Sequence, residues 1–297
     1  MIAIAVSLII ALAPFAQAHA NGNQPAYMAY AKPKVDLMII ATHPDDDQLW
    51  LGAVGPTYTN AGKRVITVCM TYDATKRRGQ YMINGRRLVK DWLSPVFGGF
   101  PDLYGSEPEL KRVWSEEKMQ TFLVEQIRKY KPAVIVTQDT MGEYGHFAHK
   151  WMVSQVQKAV VNSVDKTKYT ASASKYGTWN TLKLYLHLYP YNKIVLNVDR
   201  PLAVFGGKTA FQMAQAGFKC HVSQDRGFWV VSKVTDPSEL LYSCREFGLY
   251  RSLVGYANTS NNMFEGVTLE ALYLANPWIR PKPQTIPEIF VVYKNSK

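Results

Sequence analysis

A histidine, a proline and three aspartates stand in a row, His43-Pro44-Asp45-Asp46-Asp47, directly after the apolar run Val35 to Thr42. A strand that ends in one imidazole and several carboxylates delivers metal ligands and a spare base to one point. Much later comes Glu143-Tyr144-Gly145-His146-Phe147-Ala148-His149, which follows a second apolar run, Ala133 to Thr137. If Pro44 occupies the first turn of a helix, where its missing N–H costs nothing, His43 and Asp46 are three apart and can converge. Asp45 then points elsewhere and is free to act on a neighbouring water. His149 offers the third ligand, with His146 beside it to support charge or donate a proton, and Tyr144 able to aim its hydroxyl at a developing oxyanion. Zinc accepts nitrogen and oxygen ligands together, and catalytic sites keep three protein ligands plus water. A plainer reading stands beside this one. Acidic residues suit the first turn of any helix through its dipole, and paired histidines are often a surface accident.

The elements that must position these residues can be read from hydrophobic pattern. Val35 to Thr42 is nearly continuous in apolar and β-branched residues, the mark of a buried parallel strand. Asp46 to Asn60 has helical character interrupted by Gly52, Gly55 and Pro56, and Arg64 to Met70 is the second strand. Trp114 to Tyr130 is a strong amphipathic helix that Pro132 ends, Ala133 to Thr137 the third strand, and His149 to Val164 a helix. This β-α-β-α-β-α order implies an α/β fold with a doubly wound, mostly parallel Rossmann-like sheet flanked by helices. The second half is irregular: strands at Leu182 to Leu188 and Ile194 to Val198, a short helix from Thr209 to Gly217, and a last strand at Ile289 to Tyr293. Thr71 to Arg112, rich in Gly, Pro, Arg and aromatics, reads as a long lid or binding loop, or as hiding a short helix near Arg86 to Leu93.

Composition bounds the rest. With 297 residues, 47% hydrophobic and 19% charged, the chain can bury one full globular core. Ile2 to Leu12, Pro14 and the small residues Ala16, Ala18 and Ala20 form the apolar stretch and A-x-A pattern of a secretory signal over residues 1–20. The protein is therefore expected to be secreted, extracellular or periplasmic, with residues 21–297 as a single domain and no membrane span once the signal is removed. Residues 1–20 hold no charged side chain, so the net charge of +11 lies in the remainder. That charge suits an anionic cell-wall or matrix polymer as partner, or simply a solubilising surface. Nucleic acid is not expected, because no basic stripe with interleaved aromatics accompanies a binding motif. Cys69 reads as a buried thiol, while Cys220 and Cys244 could pair in an oxidising compartment.

In its two motifs the chain resembles the LmbE-like (PIG-L) metal-dependent deacetylases, which remove acetyl groups from N-acetylglucosamine-type amides. Ala41-Thr42-His43-Pro44-Asp45-Asp46-Asp47 matches their A-x-H-P-D-D-E, and Tyr144-Gly145-His146-Phe147-Ala148-His149 their Y-x-H-P-D-H. The resemblance implies an LmbE-like fold with one Zn2+ per chain on His43, Asp46 and His149, and Asp45 as general base. It also implies that Tyr144 and a protonated His146 stabilise the tetrahedral intermediate, and that the substrate is an N-acetylated amino sugar, glycan or glycoconjugate. His221-Val222-Ser223-Gln224 echoes the late H-x-S/T-Q segment of many members. Two departures stand out. Asp47 replaces the usual Glu, and Phe147-Ala148 replaces Pro-Asp, which removes a carboxylate near the histidines. Arg77, Arg78, Arg86, Trp92 and His221 are candidate substrate contacts; His187 is either a sheet histidine or a site residue.

Rival readings have weaker support. A carbohydrate-binding protein whose catalysis has decayed would fit the two departures, and a two-metal phosphoesterase the run of aspartates. No G-x-G-x-x-G follows the first strand, and Gly207-Lys208-Thr209 lacks the phosphate loop's first glycine because position 202 is Leu. Neither G-x-S-x-G nor H-E-x-x-H occurs.

Overall fold

The computed structural model describes residues 34–103, 105–224, 231–256 and 259–280. The expected signal segment and the expected strand at Ile289 to Tyr293 lie outside the described residues. The elements in chain order are β1 (Leu37–Ala41), α1 (Asp46–Leu49), α2 (Val54–Asn60), β2 (Val65–Thr71), α3 (Arg77–Leu88), β3 (Val96–Phe100), α4 (Glu107–Val113), α5 (Glu116–Tyr130) and β4 (Val134–Thr137). There follow α6 (Phe147–Asn162), α7 (Thr170–Tyr176), β5 (Lys183–His187), β6 (Lys193–Val195), α8 (Ala210–Phe218), β7 (Glu246–Ser252) and α9 (Leu269–Ala275).

Seven strands form one sheet in the order β3-β2-β1-β4-β5-β7-β6. The first five neighbours pair in parallel, and β7 runs antiparallel between β5 and β6. Every residue of β1, β2, β4 and β5 is buried, as strands covered on both faces require. The connections leave β1 in one direction toward β2 and β3, then return to β4 and proceed to β5 the other way. Right-handed crossovers therefore put α1, α2 and α3 on one face and α6 and α7 on the other. The reversal falls between β1 and β4, the crevice where open sheets of this kind bind ligands.

Local chemistry explains the boundaries. In α5 the Ser115 hydroxyl accepts from the Lys118 N–H, and the helix ends at Lys131 in the left-handed conformation (φ 55°) just before Pro132. The Asp46 to Asn60 stretch is two short helices, not one. Its turn at Gly52 lets the backbone approach Gln48 and Ala214 so closely that a Cβ would collide with both. A Cβ at Gly217 of α8 would collide with the Gln48 side chain, and one at Gly85 of α3 would crowd the Gly217 carbonyl, so three glycines let α3 and α8 close over α1.

The segment from Thr71 to Arg112 is not a loop. It holds α3, the edge strand β3 and α4. Only Gly79, Met82, Gly85 and Arg86 of α3 are buried, so the helix has no apolar stripe for periodicity to reveal. Cys69, Cys220 and Cys244 are all free thiols. Among the described residues no helix is long and apolar enough to cross a membrane.

Candidate metal centre

β1 and β4 end side by side at the crevice, so His43 leaves one strand end while His146 and His149 open the helix that follows the other. His43 Nδ1, Asp46 Oδ2 and His149 Nε2 form a triangle. Its sides are 3.2 Å between His43 and Asp46, 3.2 Å between His43 and His149, and 3.3 Å between His149 and Asp46. Ligand bonds of about 2.0–2.1 Å in tetrahedral array would set donors roughly 3.3 Å apart, so the spacing fits zinc. Each histidine has a carboxylate behind its other nitrogen. Asp102 Oδ1 lies 3.4 Å from His43 Nε2, and Glu143 Oε2 lies 2.7 Å from His149 Nδ1. With a proton kept only on each outer nitrogen, the inner face would present two lone pairs and a carboxylate oxygen, a donor set suited to a metal ion. His43, His146 and His149 also group as potential ligands whose atoms all lie within 4.8 Å.

Asp46 is fixed from both sides. The His43 backbone N–H donates to Oδ2 at 2.7 Å, and Trp50 Nε1 donates to Oδ1 at 3.0 Å. Burial would push its carboxyl up, but His149 and His43 beside it hold it well below the usual range. Burial likewise pushes His149 down, and Asp46 and Glu143 outweigh it, raising the imidazole to about 10. His149 is thus an imidazolium in these surroundings. A metal ion would displace that proton.

Asp45 sits apart from the triangle at the N-cap of α1, in a left-handed conformation (φ 140°) that strains any residue with a side chain. Its Oδ2 accepts from Arg78 Nη2 at 3.0 Å. Burial, then the charge of Asp46, pushes its carboxyl up to about 7. Arg78 Nη1 also reaches Asp102 Oδ2 at 3.2 Å, and the same Nη2 reaches the Pro44 carbonyl at 3.1 Å. One guanidinium therefore ties the β3 end to the residues after β1.

His146 departs from its expected state. Its Nδ1 accepts the Ala148 N–H at 3.1 Å as the cap of α6, so the ring's own proton belongs on Nε2. Burial and then the neighbouring His149 and His43 push its pKa down to about 4. The ring is neutral, where the sequence reading expected a positive charge. Tyr144 stands at the mouth, half exposed, its ring 5.6 Å from that of His146 and 5.8 Å from that of His149.

The other expected contacts divide. Arg78 is at the site, and Arg77 is exposed at the first residue of α3. Arg86 is fully buried beneath it, forked onto Asp91 at 2.9 and 2.6 Å with Asp47 at 3.5 Å, so it supports the floor and meets no ligand. The short Asp47 side chain leaves its Oδ1 without a hydrogen-bond partner. Trp92 is exposed, but its N–H bonds the carbonyl of Val65 at the amino-terminal start of β2, the end of the sheet opposite the metal triangle. His221 is buried with neither nitrogen partnered, and burial followed by Arg78 pushes its pKa down to about 3.

Sequence reasoning did not find Asp102, Trp50 and Gln138, and named Glu143 without a role. Asp102 follows β3, a strand that was not foreseen. Gln138 Oε1 accepts from the Thr42 N–H at 2.8 Å, which turns its amide toward His149 and Glu143.

Residues 38–160 match the family model described as PIG-L: GlcNAc-PI de-N-acetylase. No curated protein matches the chain. Among solved structures, N,N'-diacetylchitobiose deacetylase from Pyrococcus horikoshii is 16% identical over 64% of this chain and 71% of that one, with a TM-score of 0.51. The conserved protein TT1542 from Thermus thermophilus is 16% identical over 64% of this chain and 80% of its own, TM-score 0.46. GalB, the 4-carboxy-2-hydroxymuconate hydratase from Pseudomonas putida, is 11% identical over 74% and 97%, TM-score 0.49. The matched segment carries every member of the donor triangle, so over residues 38–160 this chain is similar to the PIG-L family.

Proposed function

We propose that this chain is an exported, zinc-dependent N-deacetylase that hydrolyses the acetamide of an N-acetylated amino sugar, glycan or glycoconjugate. The observation that carries the reading is the donor triangle, sides 3.2 to 3.3 Å, with the strained Asp45 carboxyl beside it. The family's GlcNAc-PI de-N-acetylase activity and that of the Pyrococcus chitobiose deacetylase support the acetylated amino sugar. The leader pattern in residues 1–20 supports export, with residues 21–297 as the mature domain, and the net charge of +11 supports an anionic wall or matrix polymer nearby.

A divalent ion bound there supplies Lewis acidity, polarising the amide carbonyl and acidifying water. Asp45, poised near 7, takes a proton as water attacks that carbonyl. Arg78 keeps the carboxyl turned inward. The His146 Nε2–H and the Tyr144 hydroxyl face the charge that develops on oxygen, each a donor of the kind worth about 3–4 kcal/mol. As the C–N bond breaks, the Asp45 carboxyl returns its proton to the departing amine. Acetate and a free amino sugar result.

Asp45→Asn should reduce acetate release by about 10²–10⁴-fold while the variant retains wild-type metal content. Full activity in that variant removes the mechanism. Tight glycan binding with no turnover by the zinc-loaded wild type would leave a binding protein on the same scaffold.

A further inference from the structure

Glu143 is an unusual residue to find in the loop before α6. It holds a left-handed backbone conformation (φ 53°) that non-glycine residues rarely adopt, and its carboxylate is wholly buried. Its two oxygens meet one backbone N–H and three side-chain nitrogens. The Asp139 N–H reaches Oε1 at 3.0 Å, and His149 Nδ1 reaches Oε2 at 2.7 Å. From β5, His187 Nδ1 also reaches Oε1, at 3.0 Å. His187 in turn places Nε2 2.7 Å from the Ser243 carbonyl, an acceptor only, so that nitrogen must carry a proton. The result is a buried line from His149 through Glu143 and His187 to the main chain before β7. It joins the strand end next to β4 to the candidate metal centre.

We infer that Glu143 and His187 are positioning residues that hold His149 with its proton on Nδ1 and its Nε2 lone pair aimed at the ion, and so set metal affinity. This rests on the metal site of the proposed function. The physical argument is that a ligating imidazole whose far nitrogen is fixed to a carboxylate gains both orientation and basicity. His43 has a looser counterpart in Asp102 at 3.4 Å, but only Glu143 is itself clamped by a second histidine from another strand. The family motif carries a carboxylate where this chain has Ala148. Here Glu143 brings one to His149 from the preceding loop.

Zn2+ affinity decides the matter, measured by competition with a chromophoric chelator on metal-stripped wild type, Glu143→Gln and His187→Gln. Glu143→Gln should bind about 10- to 100-fold more weakly, and His187→Gln should lose affinity in the same direction but less. A role confined to the fold would lower the melting temperature of the metal-free variants and leave affinity unmoved. Affinities within twofold of wild type for both variants overturn the inference. Should either variant fail to fold, the histidine ¹⁵N spectrum of zinc-loaded wild type serves instead: His149 as the Nδ1–H tautomer supports the relay, and as Nε2–H overturns it. A wild type that binds zinc tightly yet releases no acetate sinks the deacetylase reading and leaves this one standing. A wild type that binds no Zn2+ sinks both.

Discussion

Arg78 shows how much one side chain does at the centre. Its guanidinium forks onto Asp45 and Asp102 while a further N–H bond goes to the Pro44 carbonyl. A lysine carries the charge but cannot span two carboxylates with rigid, parallel donors. Arg78→Lys should therefore lose at least one charge-assisted hydrogen bond, about 1.5–3 kcal/mol, lowering the melting temperature by a few degrees and kcat/KM roughly 10- to 100-fold. Activity within twofold of wild type would show that Asp45 needs no such clamp. At this scale the sequence was most legible where ligands share a motif. His43, Asp45 and Asp46 are neighbours in the chain, and His146 and His149 one helical turn apart. Asp102 was not legible, because it reaches the site from another strand end and nothing in its own neighbourhood marks it, and His187 was left open between the core and the site. His187 sits in an alternating strand pattern that equally describes a core histidine.

At the scale of elements, periodicity located β1, β2, β4, β5, α5, α6 and α8 to within a few residues. It failed where the usual pattern is physically absent. α3 buries glycines and an ion-paired arginine in place of an apolar stripe, and β3 is Val-Phe-Gly-Gly-Phe at the sheet's edge. β7 was missed because Gly248 breaks its alternation; a side chain there would run into the carbonyls of Tyr189 and Tyr191. The junction of α5 and β4 gives a prediction of its own. Lys131, which caps α5, is 4% exposed and donates from Nζ to the Tyr176 carbonyl at 2.7 Å above the Trp179 ring. Burial, then Lys34 and Arg128, lowers its pKa from 10.5 to about 8. Between those two values the unfolded chain holds a proton that the folded chain has released, so this group's contribution to stability rises with pH across that window. Below about 8 both states are protonated and the contribution is flat. The melting temperature of wild type relative to Lys131→Met should therefore climb as pH goes from 8 to 10.5. A difference that stays constant would mean the lysine is not desolvated as the geometry implies.

Over the whole molecule, the metal centre lies where the two halves of the sheet diverge. His43 and Asp46 belong to the half running β1-β2-β3, and His149 to the half running β4-β5. An ion held by all three would tie the loops after two adjacent central strands, and it would bind the folded chain while having no preformed site in the unfolded one. Mass action then stabilises the fold by about 2.7 kcal/mol when free ion stands at 100 times its Kd. In a domain of this size, with about 2.1 cal/mol/K of unfolding entropy per residue, that is a rise in melting temperature of roughly 4–5 °C. Stripping the ion with a chelator should lower the melting temperature by that amount, and adding Zn2+ should restore it. Asp45→Asn, which spares the triangle, should keep the full shift. Asp46→Asn, which replaces a charged ligand by a neutral one, should lose most of it. Equal shifts in the two variants, or none in the wild type, would place the ion elsewhere than between the two sheet halves.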